Sequence, residues 1–222
     1  MIHLNDINFH YASSDFNLRV KHLSIPEQSS AAFIGPSGCG KTTLMSLLAG
    51  LLPTQAGKIK VNNIEIDQLD DKSRRQFRIQ NIGFIFQDFA LIDYLNCYDN
   101  ILHPYRINSA LDLNDEVKSR AKQLAKQLGI EKKLTAFPHR ISQGEKQRVA
   151  ICRALINQPA VILADEPMSN LDSDNKKIIL DCLTNYIKEN DATLIVATHD
   201  ESLLNIFDQV IDIKELIHDS LD

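Results

Sequence analysis

The sequence predicts an α/β fold: a mainly parallel sheet at the centre, a small antiparallel β subdomain at the N-terminal end, and an α-helical subdomain inserted at approximately residues 88–158. Three observations carry this. Two runs, Ala160-Val161-Ile162-Leu163-Ala164 and Thr193-Leu194-Ile195-Val196-Ala197, are too uniformly apolar for a strand with one wet face and read as central strands buried on both sides. The start of the chain instead alternates apolar and polar residues, the period of a half-exposed strand. The stretch between carries long helical patterns and few strand signals. The 222 residues hold one sizeable domain with an insertion and leave no room for a second full domain, so 1–222 is read as one unit.

In chain order, Ile2, Leu4, Ile7 and Phe9 mark the first strand, and Phe16-Asn17-Leu18-Arg19-Val20 its antiparallel neighbour across a polar turn. Ala31-Ala32-Phe33-Ile34 is a short apolar run that ends in a glycine-rich loop. Thr43-Leu44-Met45-Ser46-Leu47-Leu48-Ala49 then has helical spacing, with Gly50 as its stop. Ile59, Val61, Ile64 and Ile66 alternate around Asn62-Asn63, which reads as a hairpin turn. Asp115 begins a helix that runs to Leu128 and ends at Gly129. Neither a repeat nor a flexible linker interrupts the chain.

Composition excludes several classes. A net charge of −5 with mixed signs argues against a nucleic-acid partner, which normally leaves a clustered basic face. Met1-Ile2-His3-Leu4-Asn5-Asp6 lacks the basic start and apolar core of a secretory signal, and the longest apolar stretch, Leu44 to Leu52, falls far short of a bilayer span. A cytoplasmic chain without direct membrane insertion is expected. Cys39, Cys97, Cys152 and Cys182 are scattered without a CxxC pair, which fits reduced structural thiols. Cys39 stands apart, because its loop position makes oxidation sensitivity a second reading.

The chemistry begins at Gly35-Pro36-Ser37-Gly38-Cys39-Gly40-Lys41-Thr42, a full match to GxxxxGK[ST] placed after a strand and before a helix. Glycines let backbone N–H groups turn inward around phosphate oxygens, the helix N-terminus adds a partial positive charge, and Lys41 neutralises the terminal phosphates. Thr42 offers its hydroxyl to Mg2+, and Thr43 follows it into the helix. These residues are expected to bind a nucleoside triphosphate at the head of a P-loop NTPase core. Asp165-Glu166 closes the apolar run 161–164, where burying two carboxylates is costly unless a cation or donors compensate. Asp165 is read as the Mg2+ residue and Glu166 as the base that deprotonates the attacking water. Ser142-Gln143-Gly144-Glu145 has the Ser-x-x-Glu form of a capping box ahead of an apolar-periodic helix.

Together these segments resemble the ATP-binding cassette ATPases. The phosphate loop, Gln87 after the run Gly83-Phe84-Ile85-Phe86, the signature Ile141-Ser142-Gln143-Gly144-Glu145, Asp165-Glu166, Ser169-Asn170-Leu171-Asp172 and His199 occur in that family's order over nearly the whole chain. The resemblance implies that Tyr11 stacks on adenine, that Gln87 touches Mg2+ and senses nucleotide, and that His199 steadies the γ-phosphate and the attacking water. It also implies that Ser142 and Gly144 meet the γ-phosphate of ATP held by a second copy, with Asp172 acting across the same interface. On their residues alone, Tyr11 could cap a sheet, and Gln87 and His199 could be ordinary polar residues at strand ends.

The cofactors implied are ATP and Mg2+; the partners are a second copy with ATP at the interface and an integral membrane permease. Segment 88–98 reads either as core packing or as the permease docking site. The signature departs from Leu-Ser-Gly-Gly-Gln: Gln143 adds bulk and Glu145 adds charge near a phosphate, so slower hydrolysis is expected. The stretch 82–89 and Asn170-Leu171-Asp172 look most like the lipoprotein-release and macrolide-efflux exporter ATPases, although Met168 and Ser169 stand where those relatives carry Thr and Gly. A cell-division-type cassette that signals to a membrane partner without transport, and a soluble cassette ATPase, are the alternatives.

Overall fold

The computed structural model describes residues 1–12, 16–108, 111–169 and 171–218. Strands β1 (Ile2–His10) and β2 (Asn17–Ile25) run antiparallel, with Leu4 opposite Leu23 and Phe9 opposite Leu18. The strand predicted to 20 runs on to 25: its alternation slips by one residue at Lys21-His22, both exposed, and resumes with Leu23 and Ile25 facing inward. Strand β3 (Ser30–Ile34) leads through the glycine loop into helix α1 (Lys41–Leu48). Strands β4 (Ala56–Val61) and β5 (Ile64–Glu65) pair across Asn62 and Asn63, whose φ of 49° and 62° are the left-handed values of the hairpin turn the two asparagines predict.

Helix α2 (Asp71–Asn81) follows, then strand β6 (Ile82–Ile85) and helices α3 (Cys97–Ile107), α4 (Asp115–Gln127) and α5 (Gln143–Leu155). The chain continues through strand β7 (Val161–Asp165), helix α6 (Ser173–Glu189), strand β8 (Thr193–Ala197), strand β9 (Gln209–Asp212) and helix α7 (Ile213–His218). Helices α2 to α6 each start at an Asp, Asn or Ser whose side chain accepts a first-turn N–H: Asp70, Asn96, Asn114, Ser142 and Asp172. Gly129, at φ 66°, ends α4 where the sequence predicts.

Two sheets result. One is antiparallel in the order β2-β1-β4-β5, and the other is wholly parallel in the order β6-β7-β8-β3-β9. The parallel sheet is buried on both faces, and its side chains divide by period two. Phe33, Leu163 and Ile195 join α1 and the antiparallel sheet in one apolar cluster. Ala32, Ile162, Leu194 and Val196 join α3, α4 and α5 in the other. This double burial is what the uniformly apolar runs express. The edge strand β9 carries no such signal, since Val210 is 45% exposed between Gln209 and Ile211.

Candidate functional site

In an open parallel sheet the ligand crevice lies beyond the carboxyl ends of the strands, and here four of those ends converge. Beyond β3 lies the loop 35–40, beyond β6 Gln87, at the end of β7 Asp165 and Glu166, and beyond β8 His199. With Tyr11, Phe16, Lys41, Thr42 and Thr43 they line a cavity of about 640 Å³. Another cavity, of about 530 Å³, lies between α4 and α6 and gathers no phosphate-binding loop.

The loop is built by its glycines. Gly40 sits at φ 110°, and a Cβ there would come within 2.8 Å of Leu18 and 3.0 Å of Phe16; Gly35, at φ 138°, would meet the Cys39 sulfur at 2.8 Å. Only glycine fits either place. As N-cap of α1, Gly40 supplies no side-chain acceptor, so the first-turn N–H groups of that helix stay available to an anion. Lys41 Nζ donates to the carbonyl oxygens of Gly35 at 2.7 Å and Pro36 at 3.0 Å, which holds the ammonium over the loop. Cys39 is not among the lining residues. Its side chain packs on the apolar cluster beneath the loop, so any part it takes in binding is through its backbone.

Thr42 Oγ1 donates to Asp165 Oδ2 at 2.7 Å. Asp165 is 5% exposed, and burial pushes its carboxyl above the ordinary range, with Glu166 adding to the rise while Thr42 and Lys41 oppose it. A hydroxyl and a carboxylate this close, with the Gln87 amide lining the same cavity, are the hard oxygen donors that suit Mg2+. Among the described residues no cluster of three or more His, Cys, Asp or Glu could cage a metal. The donor set fits an ion that keeps water and phosphate oxygens as its other ligands.

A buried charge without its cation destabilises the chain, so Asp165→Asn is expected to raise the thermal midpoint of the nucleotide-free protein by about 2–4 °C, roughly 1 kcal/mol at this size. Because the folded-state pKa is raised, the gain grows as pH climbs from the ordinary carboxylate range through the raised value, and it vanishes in more acid solution. Thermal scans with and without Mg-ATP check this. A midpoint that stays put at neutral pH contradicts it.

Glu166 sits at φ 49°, left-handed for a residue with a side chain. Its N–H donates to Ala197 O at 3.0 Å, and its carbonyl accepts from Ser169 N at 3.2 Å and Ser169 Oγ at 3.0 Å, which fixes the turn. The carboxylate meets His199 Nδ1 at 2.8–2.9 Å. Tyr11 OH lies 3.1 Å from Thr43 Oγ1, and its ring meets Phe9 edge-on with centroids 4.9 Å apart. Phe16, beyond the polar turn, lies 5.9 Å from Tyr11 in the same wall. Sequence reading assigned Phe16 only to a strand; its signal is an aromatic opposite Tyr11 across a hairpin.

Ser142, Gly144 and Asp172 do not line this cavity. Ser142 is exposed at the start of α5, where its hydroxyl accepts from Glu145 N at 3.2 Å and Glu145 Oε2 accepts from Ser142 N at 2.8 Å, completing the capping box. Glu145 also pairs with Lys133 at 3.2 Å, which offsets the charge expected to slow hydrolysis. The Ser142 backbone bond is the first cause that holds this carboxyl below its usual range. Asp172 caps α6, and Asn170 lies outside the described residues.

A parallel sheet with a glycine loop, a lysine, a threonine–aspartate pair and a glutamate–histidine pair at its carboxyl edge defines a P-loop ATPase. The sequence profile of the ABC transporter family matches residues 18–169. The chain is 41% identical over 186 residues to the lipoprotein-releasing system ATP-binding protein LolD 1 of Rhodopirellula baltica, spanning 84% of this chain and 80% of that one. It is 36% identical over 211 residues to LolD of Bacteroides fragilis, spanning 95% and 96%. A dimeric post-hydrolysis structure of the ATP-binding cassette MJ0796 bound to ADP and Pi superimposes with a TM-score of 0.87 at 30% identity, covering 96% of this chain and 95% of that one. The chain belongs to the ABC transporter family. It is an ATP-binding, ATP-hydrolysing subunit that resembles the lipoprotein-release type. Among the described residues no helix is long and apolar enough to cross a membrane.

Proposed function

We propose that two copies of this chain close head to tail on two ATP molecules and drive a conformational change in a membrane permease, as the cytoplasmic motor of a lipoprotein, peptide or drug exporter. One observation carries the two-copy reading: apart from Cys39, which packs beneath its own loop, the cavity holds every expected nucleotide-site residue except Ser142, Gly144 and Asp172, and Ser142 stands exposed on another element. The dimeric state of the MJ0796 relative supports it. In each site Tyr11 stacks on adenine beside Phe16, while Lys41 leaves its loop carbonyls for the phosphates and the N–H groups of the loop and first turn join it. Mg2+, held by Thr42, Asp165 and Gln87, would neutralise phosphate charge there. Glu166 accepts a proton from the water that attacks the γ-phosphate, and His199 orients that carboxylate. Ser142 and Gly144 of the second copy complete the cradle. The whole chain acts as one cassette, with 88–158 as its helical part.

The permease reading rests on the surface that follows Gln87. Tyr94 is 81% exposed on a segment whose neighbours Leu91, Ile92 and Leu95 are half-buried, an aromatic anchor on an apolar base. Tagged protein at native level is expected to bring down an integral membrane protein from detergent-solubilised membranes. Tyr94→Asp should lose most of that partner while the ATPase rate of the isolated chain stays within about twofold. Recovery of ribosomes or DNA instead would remove the transporter reading in favour of a soluble cassette.

A further inference from the structure

The helix that presents Ser142 also grips the loop that carries Gln87. Arg153, in the last turn of α5, donates from Nη2 to the carbonyl oxygen of Phe89 and from Nη1 to that of Ala90, each at 2.5 Å. Neither acceptor belongs to its own helix. Phe89 and Ala90 both sit in the left-handed region, at φ 64° and 47°, and neither is glycine. Two consecutive residues with side chains hold that conformation only when their surroundings enforce it.

The grip reaches Gln87 directly. Phe89 N–H donates to Phe86 O at 3.1 Å, closing a four-residue turn with Gln87 at its second position, so Arg153 holds the end of the turn that aims Gln87 into the nucleotide cavity. A few residues on, the fully buried Asn100 accepts from Ile92 N at 2.8 Å and donates to the carbonyl oxygens of Ile92, Leu95 and Asn96 at 3.0–3.1 Å. The segment after Gln87 is thus pinned to α5 on one side and α3 on the other. Asp88 attracts the Arg153 guanidinium, and burial lowers it to about 10, so it stays protonated at neutral pH. Burial first, and then the charges of Arg153 and Arg106, hold His103 on α3 below its ordinary value.

Arg153 and Ser142 stand eleven positions apart on one helix, roughly 16 Å along its axis. Between them Val149, Ala150, Ile151 and Cys152 are fully buried, so α5 moves as a rod. We propose that Arg153 is the positioning residue that ties the Gln87 turn to the signature end of α5, so that a shift of Gln87 on nucleotide binding and the presentation of Ser142 to the partner's ATP are one movement. This rests on the two-copy reading above. A planar fork with two donors suits two adjacent carbonyls; an ammonium on a flexible stem does not hold both in one geometry.

The test compares the full-length parent with Arg153→Gln and Arg153→Lys, each also with Ala90→Gly. Thermal melts establish folding, a fluorescent ATP analogue reads affinity in the chain's own cavity, and steady-state assays separate kcat from KM. ATP-dependent dimer is measured for each in a Glu166→Gln background. Both substitutions are expected to leave analogue affinity within about twofold, to lower kcat roughly tenfold or more, and to weaken the dimer. Ala90→Gly is expected to recover part of the loss in Arg153→Gln, because glycine takes the left-handed conformation without the clamp. An Arg153→Gln chain that melts like the parent with kcat and dimer unchanged overturns the proposal. So does a loss of kcat matched by an equal loss of affinity that Ala90→Gly does not recover, the mark of a merely structural arginine. A parent chain that neither hydrolyses ATP nor dimerises as Glu166→Gln overturns the two-copy reading itself.

Discussion

Glu166→Gln is expected to turn this protein into an ATP-bound dimer that barely hydrolyses, with turnover down roughly 10²–10⁴-fold and ATP affinity unchanged or tighter. The geometry makes the substitution selective. Glutamine has the size of glutamate, its amide oxygen can still meet His199 Nδ1, and the anchoring bonds from Glu166 N to Ala197 O and from Ser169 to the Glu166 carbonyl are backbone features that survive. What goes is the proposed proton acceptor. Lys41 and Thr42, on α1, and Asp165, which precedes the substituted residue on β7, are the groups proposed to hold the nucleotide and its ion, and they keep their bonds. Size-exclusion chromatography with light scattering, in saturating Mg-ATP and then after ATP withdrawal, separates the outcomes: a dimer that persists supports trapping, whereas a monomer at every ATP concentration rules out two-copy closure by isolated subunits.

The parts of this site that could be read from the sequence are those whose chemistry is contiguous. A glycine loop between a strand and a helix announces itself because Gly35 and Gly40 occupy places no side chain fits, so the pattern and its geometry are the same fact. Asp165 and Glu166 are legible because two carboxylates ending a wholly buried strand need a reason. Other features left no such trace. Phe16 joins the cavity wall only because the β1–β2 hairpin folds it beside Tyr11. The Arg153 clamp is invisible in sequence, since its acceptors are main-chain carbonyls some sixty residues away and every residue has one. Strand β9 is illegible for a related reason: an edge strand with Val210 exposed gains its pairing from Ala31 to Ile34 and needs no apolar run of its own. The same limit applied to Glu145. Its charge could be read, but not the Lys133 ammonium placed 3.2 Å away, which changes the expected cost of that charge.

Mixing two inactive chains should restore activity, and this is the sharpest expectation the split site allows. Lys41→Ala removes the phosphate cation from a chain's own cavity, while Gly144→Asp puts a carboxylate where the partner's γ-phosphate would sit. Each alone is expected to fall below about 1% of parental turnover, a loss in keeping with removal of a group aimed at transition-state charge. Neither change threatens the fold. Among the described residues Lys41 bonds only to loop carbonyls, and a Cβ at Gly144 would meet its neighbours no closer than 3.6 Å, ordinary van der Waals contact. In an equimolar mixture half the dimers pair unlike chains, and each such dimer has one composite site with both halves intact and one with both damaged. If the two sites fire independently, roughly a quarter of parental turnover returns. On the two-copy reading, recovery needs only the pairing of unlike chains, because no residue of one chain completes the same chain's cavity. A mixture no more active than its components at any ratio would mean that Ser142 and Gly144 never reach a partner's ATP. Activity in Gly144→Asp alone would mean that a single copy suffices for hydrolysis, and the exposed signature at the start of α5 would then need another explanation.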